Sequence, residues 1–298
     1  MKIALCCDDK FAMACGTCML SILKNNSSKP IEFFILCDAV SNEAKHRIRT
    51  IATDYNSSLT LIDISEESFS TLKVSNIFPR AIYFRFLLPK LILNESKILY
   101  LDCDTIVRDS LDELWHSNLD NIACGMVQDQ KADDIRHYNR LDLPIDSQYF
   151  NSGVILFNLS FWRKYDLAAK CVKFIAENPN KCLYPDQDAI NVMLHGRIHC
   201  LSFKYNFQSG LLLPKSDIFL CKSNWTDIDE SKENPIIVHF TEPHKPWYKD
   251  CPHIYASEWV RYLRNTPWNK HKLKAMQIRP WWYRALQFVI YPLTKKYK

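Results

Sequence analysis

Within the first 64 residues, three short apolar runs alternate with two helix-length segments. That alternation restricts the chain to an α/β fold built around a parallel sheet. Residues 2–7 form a buried strand that ends at Asp8-Asp9. Residues 11–25 place apolar side chains at helical spacing and stop in the polar run Asn25-Asn26-Ser27-Ser28. Residues 31–37 form a second strand ending in Asp38. Ser41 is the expected N-cap of a helix reaching Asp54, and residues 59–64 form a third strand. In such sheets ligands bind beyond the carboxyl ends of the strands, near the point where strand order reverses.

The apolar run at residues 97–101 ends abruptly in Asp102-Cys103-Asp104. Side chains alternate across an extended strand, so Asp102 and Asp104 share a face and can converge on one cation, with Cys103 turned back toward the fold. Hard oxygen ligands at a strand end suit Mg²⁺ or Mn²⁺, ions that commonly carry substrate phosphates. Taken alone, such a pair is more often a solvated strand end, because aspartate is common in turns. Its weight comes from what else follows a strand. Asp8 and Asp9 do, so the topology gathers four carboxylates in one crevice. His239 ends a strand over residues 235–240, and Lys245 follows closely. A lone histidine is more often structural, but with two aspartates it completes a reasonable Mn²⁺ set. Lys245 would then face phosphates as a point charge.

Other stretches add to this crevice. Residues 81–89 read as an apolar helix carrying one arginine, Arg85. A buried arginine needs an anionic partner, and the Asp102/Asp104 region or a phosphate would serve; the alternative is that it snorkels to the surface. Ser110 is expected to cap a short helix ending at Trp115, and residues 122–127 form a strand ending near Asp129. Asn151-Ser152-Gly153 reads as a turn feeding a buried strand over residues 154–159. Residues 161–178 read as one amphipathic helix. Tyr184-Pro185 opens another helix through Leu194, with Asp186-Gln187-Asp188 in its first turn, which is more acid than a helix start requires.

Composition excludes several classes. With only 5 glycines and no G-x-G-x-x-G or Walker pattern, glycine-rich phosphate loops are nearly ruled out. The 12 cysteines sit inside apolar runs as often as in loops and form no zinc-like pair of C-x-x-C motifs, which fits small core residues in a reducing cytosol. The apolar run at the N-terminus is too short for a signal-peptide core, and no apolar run is long enough to span a membrane. The net charge of +5 is uneven. From Pro267 onward there are eight Lys/Arg and no Asp/Glu, which leaves 30 basic against 33 acidic residues before it. The body is therefore not a nucleic-acid binder. Residues 267–298, with Trp268, Trp281, Trp282 and Tyr283 among the cations, read as a small helical membrane-association segment for an anionic lipid surface, set apart from a domain at 1–266.

Six motifs in order resemble family 8 glycosyltransferases, the retaining sugar-nucleotide transferases of the GT-A fold, including bacterial lipooligosaccharide and lipopolysaccharide α-galactosyl- and glucosyltransferases. They are Ala4-x-x-x-Asp8-Asp9, Tyr83-x-Arg85, Leu99-Tyr-Leu-Asp102-x-Asp104, Tyr149-Phe-Asn151-Ser-Gly153-Val, Asp186-Gln187-Asp188 and His239-x5-Lys245-Pro-Trp247. The resemblance implies a Rossmann-like, mostly parallel central sheet flanked by helices. It implies Asp102, Asp104 and His239 as ligands of Mn²⁺, with Mg²⁺ as the alternative. The substrate contacts it implies are Asp8, Asp9, Arg85, Asp102, Cys103, Asn151, Asp186, Gln187, Asp188 and Lys245. Of these, Asp186 touches a sugar hydroxyl and Gln187 lies on the β-face of the anomeric carbon. Two positions depart from the family: Lys10 stands where relatives often carry Asn, and Glu242 where they usually have Gly beside the diphosphate.

The implied reaction moves galactose or glucose from a UDP-hexose to an oligosaccharide or lipid-linked glycan, with the enzyme peripheral on the cytoplasmic face of the inner membrane. Retention requires same-face attack or a covalent intermediate, for which Asp129, Asp186 and Asp188 are the available carboxylates. A sugar nucleotidyltransferase also uses paired acids and a metal, but usually starts from a glycine-rich loop. A non-catalytic nucleotide- or glycan-binding module remains open through Glu242, whose carboxylate would repel phosphate unless it points away or pairs with Lys245.

Overall fold

The computed structural model describes residues 1–65, 67, 80–144, 147–213 and 224–276. The first half runs β1 (Lys2–Asp8), α1 (Ala12–Asn25), β2 (Glu32–Asp38), α2 (Asn42–Asp54) and β3 (Ser58–Asp63), then a 3₁₀ segment at Arg80–Leu87 continuing into α3 (Leu88–Leu91). Next come β4 (Lys97–Leu101), β5 (Thr105–Val107), α4 (Asp112–Trp115), β6 (Cys124–Gln128), α5 (Ile135–Leu141) and β7 (Phe150–Asn158). The chain continues through α6 (Leu159–Lys164), α7 (Leu167–Glu177), α8 (Pro185–Met193), β8 (Ile198–Cys200), β9 (Phe207–Gln208), α9 (Trp225–Glu233), β10 (Ile237–His239) and α10 (Ala256–Leu263).

Seven strands form one sheet in the order β3-β2-β1-β4-β7-β6-β8. The chain steps from β1 outward through β2 to β3, then returns to place β4 on the other side of β1, with all of these pairings parallel. Strand order therefore reverses between β1 and β4. Asp8 ends β1 and Asp102 follows β4, so both stand at the mouth of this crevice, as the sequence predicts. Both sheet faces are covered. Along β1, Ile3, Leu5 and Cys7 enter one core while Ala4 and Cys6 enter the other, the alternation a strand imposes. The cysteines behave as small core residues, with nine of the described ones buried and all of them free.

Four expectations are corrected. Asn151-Ser152-Gly153 is not a turn but the start of β7, which runs antiparallel to both β4 and β6. An apolar run reads the same in either direction, so the sequence could not show this. Residues 81–87 wind as a 3₁₀ helix, and only the last turn is α-helical. The expected helix over 161–178 is two helices, broken at Asp166, which adopts a left-handed conformation (φ 49°) that aspartate tolerates. Leu111, not Ser110, takes the cap position before α4; Ser110 instead accepts from the Asp112 amide through Oγ (3.2 Å). The predicted cap at Ser41 does form, accepting from the Ala44 amide at 3.3 Å.

A second sheet has three strands in the order β5-β10-β9. β10 is antiparallel to β5, pairing His239 with Thr105, and parallel to β9, pairing His239 with Gln208. This pairing brings His239 beside the residue that follows Asp104.

The expected boundary at 266 moves. Trp268 is only 9% exposed, belongs to the larger core and lies under the Arg47 guanidinium at 5.5 Å. A Cβ on Gly16 of α1 would meet the Trp268 ring at 2.6 Å, so helix and ring pack without a side chain between them. Trp268, which the sequence reading placed in the separate segment, thus packs with the body of the fold, and residues 277–298 of the basic aromatic segment lie outside the described residues. No described helix is long and apolar enough to cross a membrane. Trp268→Ala is expected to lower stability by about 3 kcal/mol, as for other buried tryptophans, read as a lower urea midpoint. An unchanged midpoint would place the indole outside the core.

Candidate active site

The paired carboxylates meet opposite cations. Asp102 receives the Arg85 guanidinium (2.9 Å) and the Tyr100 hydroxyl (2.6 Å) on Oδ1. Asp104 receives Lys245 Nζ on Oδ2 at 2.7 Å, and the same ammonium donates to the Phe240 carbonyl at 2.6 Å. His239 Nε2 lies 3.3 Å from Asp104 Oδ1 and 3.8 Å from Asp102 Oδ2. One ligand atom from each of Asp102, Asp104 and His239 falls within 4.8 Å of the others, and this is the one such group among the described residues. Burial pushes the Asp104 carboxyl upward, but Lys245 and His239 outweigh it and hold the group well below the usual carboxylate range.

Arg85 does not snorkel. It is 1% exposed, and its Nη1 reaches Asp186 Oδ2 at 2.9 Å while Nη2 holds Asp102. Its Nε bonds the Ile82 carbonyl, and the guanidinium lies over the Tyr100 ring at 4.4 Å. The expected anionic partner is therefore Asp102, joined by Asp186. Burial raises the Asp186 carboxyl above its ordinary pKa, with Arg85 opposing the shift.

The strand start at Asn151–Gly153 is usable because its ladder is interrupted. The β6–β7 register shifts between Met126 and Val127. Ser152 N–H is left to donate to Gln187 Oε1 (3.1 Å), and the Ser152 carbonyl accepts from Arg85. Ser152 Oγ donates to Asp186 at 2.8 Å. Asn151 Nδ2 and Gln187 Nε2 both donate to Asp129 Oδ2 at 3.1 Å. Gly153 allows this close approach: a Cβ there would lie 2.1 Å from His239 Cε1 and 2.9 Å from Asp102 Oδ2.

The structure thus brings together Arg85, Asp102, Asp104, Asn151, Asp186, Gln187, His239 and Lys245. Asp8 and Asp9 stand at the end of β1 and serve its loop. Asp8 Oδ1 accepts from Phe11 N, and Asp9 Oδ1 from Ser41 N, both at 2.9 Å; the bond with Ser41 holds the Asp9 carboxyl below its ordinary pKa. Two members of the expected substrate set are placed elsewhere. Asp188 is 0% exposed and is occupied by Arg140, Tyr149 Oη and Tyr184 N, so it braces α8 instead of facing the crevice. The Cys103 thiol turns into the core, as the sequence reading has it, and donates to the Cys6 carbonyl at 3.3 Å. Glu242 is exposed and accepts from Gln130 Nε2 at 3.4 Å, and Lys10 is exposed. Sequence reasoning missed Tyr100, which clasps Asp102, although Tyr100 lies inside a quoted motif. It also gave no role to Ser152, inside another quoted motif, and missed Asn206, whose sequence surroundings carry no chemical pattern.

The arrangement fits a divalent cation. Asp102, Asp104, Asp129 and Asp186 stand against Arg85 and Lys245, four acids to two bases in a mostly buried site. A bound dication would offset that excess, and oxygen plus imidazole ligands suit such an ion.

The chain matches the sequence profile of glycosyl transferase family 8 over residues 2–251. General stress protein A of Bacillus subtilis is 26% identical over 276 residues, covering 90% of this chain and 95% of that protein. Lipopolysaccharide 1,2-glucosyltransferase of Escherichia coli K12 is 29% identical over 280 residues, covering 90% of this chain and 79% of its own. Among solved structures, galactosyltransferase LgtC with donor and acceptor sugar analogues superposes with a TM-score of 0.81 at 23% identity, covering 90% of this chain and 96% of that one. That likeness establishes the GT-A arrangement of the sheet.

Gly153→Ala is expected to weaken divalent-metal affinity by about 10–100-fold, since its Cβ would displace His239 and Asp102 together. Calorimetric titration with Mn²⁺ tests this, and wild-type affinity in the variant would show that the cluster is not the metal site.

Proposed function

The chain belongs to glycosyl transferase family 8, and on that premise we propose that it moves a hexose, glucose or galactose, from a UDP-sugar to a saccharide of a lipopolysaccharide or lipooligosaccharide core, with retention of configuration. The observation that carries the reading is the convergence of Asp102, Asp104 and His239 beside Lys245, at the sheet position where a nucleotide diphosphate is expected. The Escherichia coli relative named as a lipopolysaccharide glucosyltransferase supports the acceptor class.

Asp102, Asp104 and His239 would hold the metal, with Mn²⁺ favoured over Mg²⁺ by the imidazole. When bound, the ion supplies Lewis-acid stabilisation of charge on the leaving phosphate. Lys245, held near Asp104 by the Phe240 carbonyl, adds a second positive charge for the departing diphosphate. Arg85 fixes Asp186 in place to meet a sugar hydroxyl. Asp8 at the end of β1 is the proposed uracil or ribose contact, and Asn151 and Gln187 line the sugar side.

The same network disfavours a covalent intermediate. Gln187 Oε1 already accepts from Ser152 N and Asn151 Nδ2, and its Nε2 is committed to Asp129. Asp129 accepts both amides on Oδ2 and Lys131 N on Oδ1. Asp186 is held by Arg85 and Ser152, and Asp188 is buried. With each carboxylate engaged, same-face attack is preferred, the leaving phosphate taking the acceptor's proton. The Glu242 carboxylate accepts from Gln130 and Lys245 is engaged by Asp104, so the binding-only alternative is decided by UDP release, not by this contact. The cationic aromatic pattern of 277–298 supports docking on an anionic membrane at the cytoplasmic face.

UDP release should occur from one UDP-hexose with Mn²⁺, cease with EDTA, and fall about 100-fold in Asp104→Asn, the scale of losing one aligned electrostatic contact. Release that ignores EDTA would refute the metal role, and a trapped glycosyl–enzyme adduct would refute same-face attack. In liposome flotation, a chain ending at Met276 should lose membrane association that the full chain shows; equal soluble fractions would count against the tail.

A further inference from the structure

One fully buried polar side chain at the site has no role in the scheme above. Asn206 is 0% exposed and lies between the 3₁₀ turn Phe203–Tyr205 and β9. Its carboxamide stands between the metal cluster and the sugar side. Nδ2 donates to Asn151 Oδ1 at 2.9 Å, and Oδ1 lies 2.9 Å from His239 Nδ1.

The direction of this chain of bonds is fixed by groups that can act in only one sense. The Gly153 backbone N–H can only donate, and it points at Asn151 Oδ1 at 3.0 Å, so that atom is the oxygen. The Asp129 carboxylate accepts from the other end of the same amide, as it does from Gln187 Nε2. Asn206 must then turn its NH₂ to Asn151 and its oxygen to His239. An amide oxygen only accepts, so the proton of a neutral His239 sits on Nδ1. Nε2 is left with its lone pair, facing Asp104 and Asp102.

We infer that Asn206 is a positioning residue that holds His239 as the Nδ1–H tautomer and ties it to the Asn151–Gln187–Asp129 network. The metal-binding nitrogen is thereby set before any ion arrives, and the metal and sugar halves of the site share one hydrogen-bond chain. The inference rests on the divalent-metal reading of Asp102, Asp104 and His239.

Two substitutions separate positioning from space-filling. Asn206→Asp keeps an acceptor for His239 Nδ1–H, although it places a charge in a buried slot. Asn206→Leu fills the slot and removes the acceptor. If Asn206 only packs, the charge should be at least as harmful as leucine. If it positions His239, Mn²⁺ affinity should stay within about threefold of wild type in Asn206→Asp and fall about 10–100-fold in Asn206→Leu, the usual cost of losing a histidine's outer partner. Imidazole ¹⁵N shifts of the metal-free protein provide a reading independent of activity, and in wild type one that needs no variant to fold. Wild type should show His239 protonated on Nδ1, and Asn206→Leu a mixture. An Nε2–H tautomer in wild type, or equal affinity losses in the two variants, would overturn the inference. Absence of Mn²⁺ binding by wild type would instead overturn the metal reading beneath it.

Discussion

A single buried guanidinium holds the two walls of the crevice together. Arg85 reaches from the 3₁₀ segment after β3 to Asp102, at the end of β4, and to Asp186, in the first turn of α8. Neither carboxylate is placed by its own element alone. Removing one partner of a buried charge set costs about 3–5 kcal/mol, because the others remain desolvated and unpaired. The Tyr100 ring beneath the guanidinium and its hydroxyl on Asp102 complete the clamp. The metal side and the sugar side both depend on these two acids staying where Arg85 keeps them.

The interruption between β6 and β7 is the second requirement. A continuous ladder would occupy the Ser152 amide and carbonyl with a neighbouring strand. The register shift leaves the amide for Gln187 and the carbonyl for Arg85. Gly153, one residue on, keeps its carbonyl in the sheet through Asp102 N at 2.8 Å. The strand therefore anchors to β4 on one side while it serves side chains on the other.

Much of this was legible in the sequence because it depends on local pattern. The βαβ alternation gave the parallel half of the sheet; Asp102 and Asp104 do converge as the spacing suggests, but through a turn at Cys103–Asp104 between β4 and β5 and not along an extended strand. The apolar surroundings of Arg85 required an acid, and the structure supplies Asp102 and Asp186. What could not be read depends on tertiary arrangement. The reversal of β7 leaves no trace in an apolar run, and the helix break at Asp166 uses a residue with no obligatory backbone preference. Asp188 looks like its neighbours in the first turn of α8, yet Arg140 and Tyr149 draw it out of the crevice. Asn206 belongs to no motif, and its importance comes entirely from what the fold places at either end of its amide.

The thiol-rich core has a consequence for how long the enzyme lasts, as distinct from how stable it is. Nine of the described cysteines are buried and free, and burial raises the thiols of Cys6, Cys18 and Cys124 far above their ordinary pKa, which keeps them unreactive in the native state. Unfolding releases them all at once into water, where they recover ordinary thiol chemistry. In an oxidising solution each opening exposes the chain to disulfide formation, which withdraws it from the folding equilibrium. The lifetime of the protein outside a reducing environment is accordingly set by how often it opens, and a reductant lengthens that lifetime without adding a single native contact.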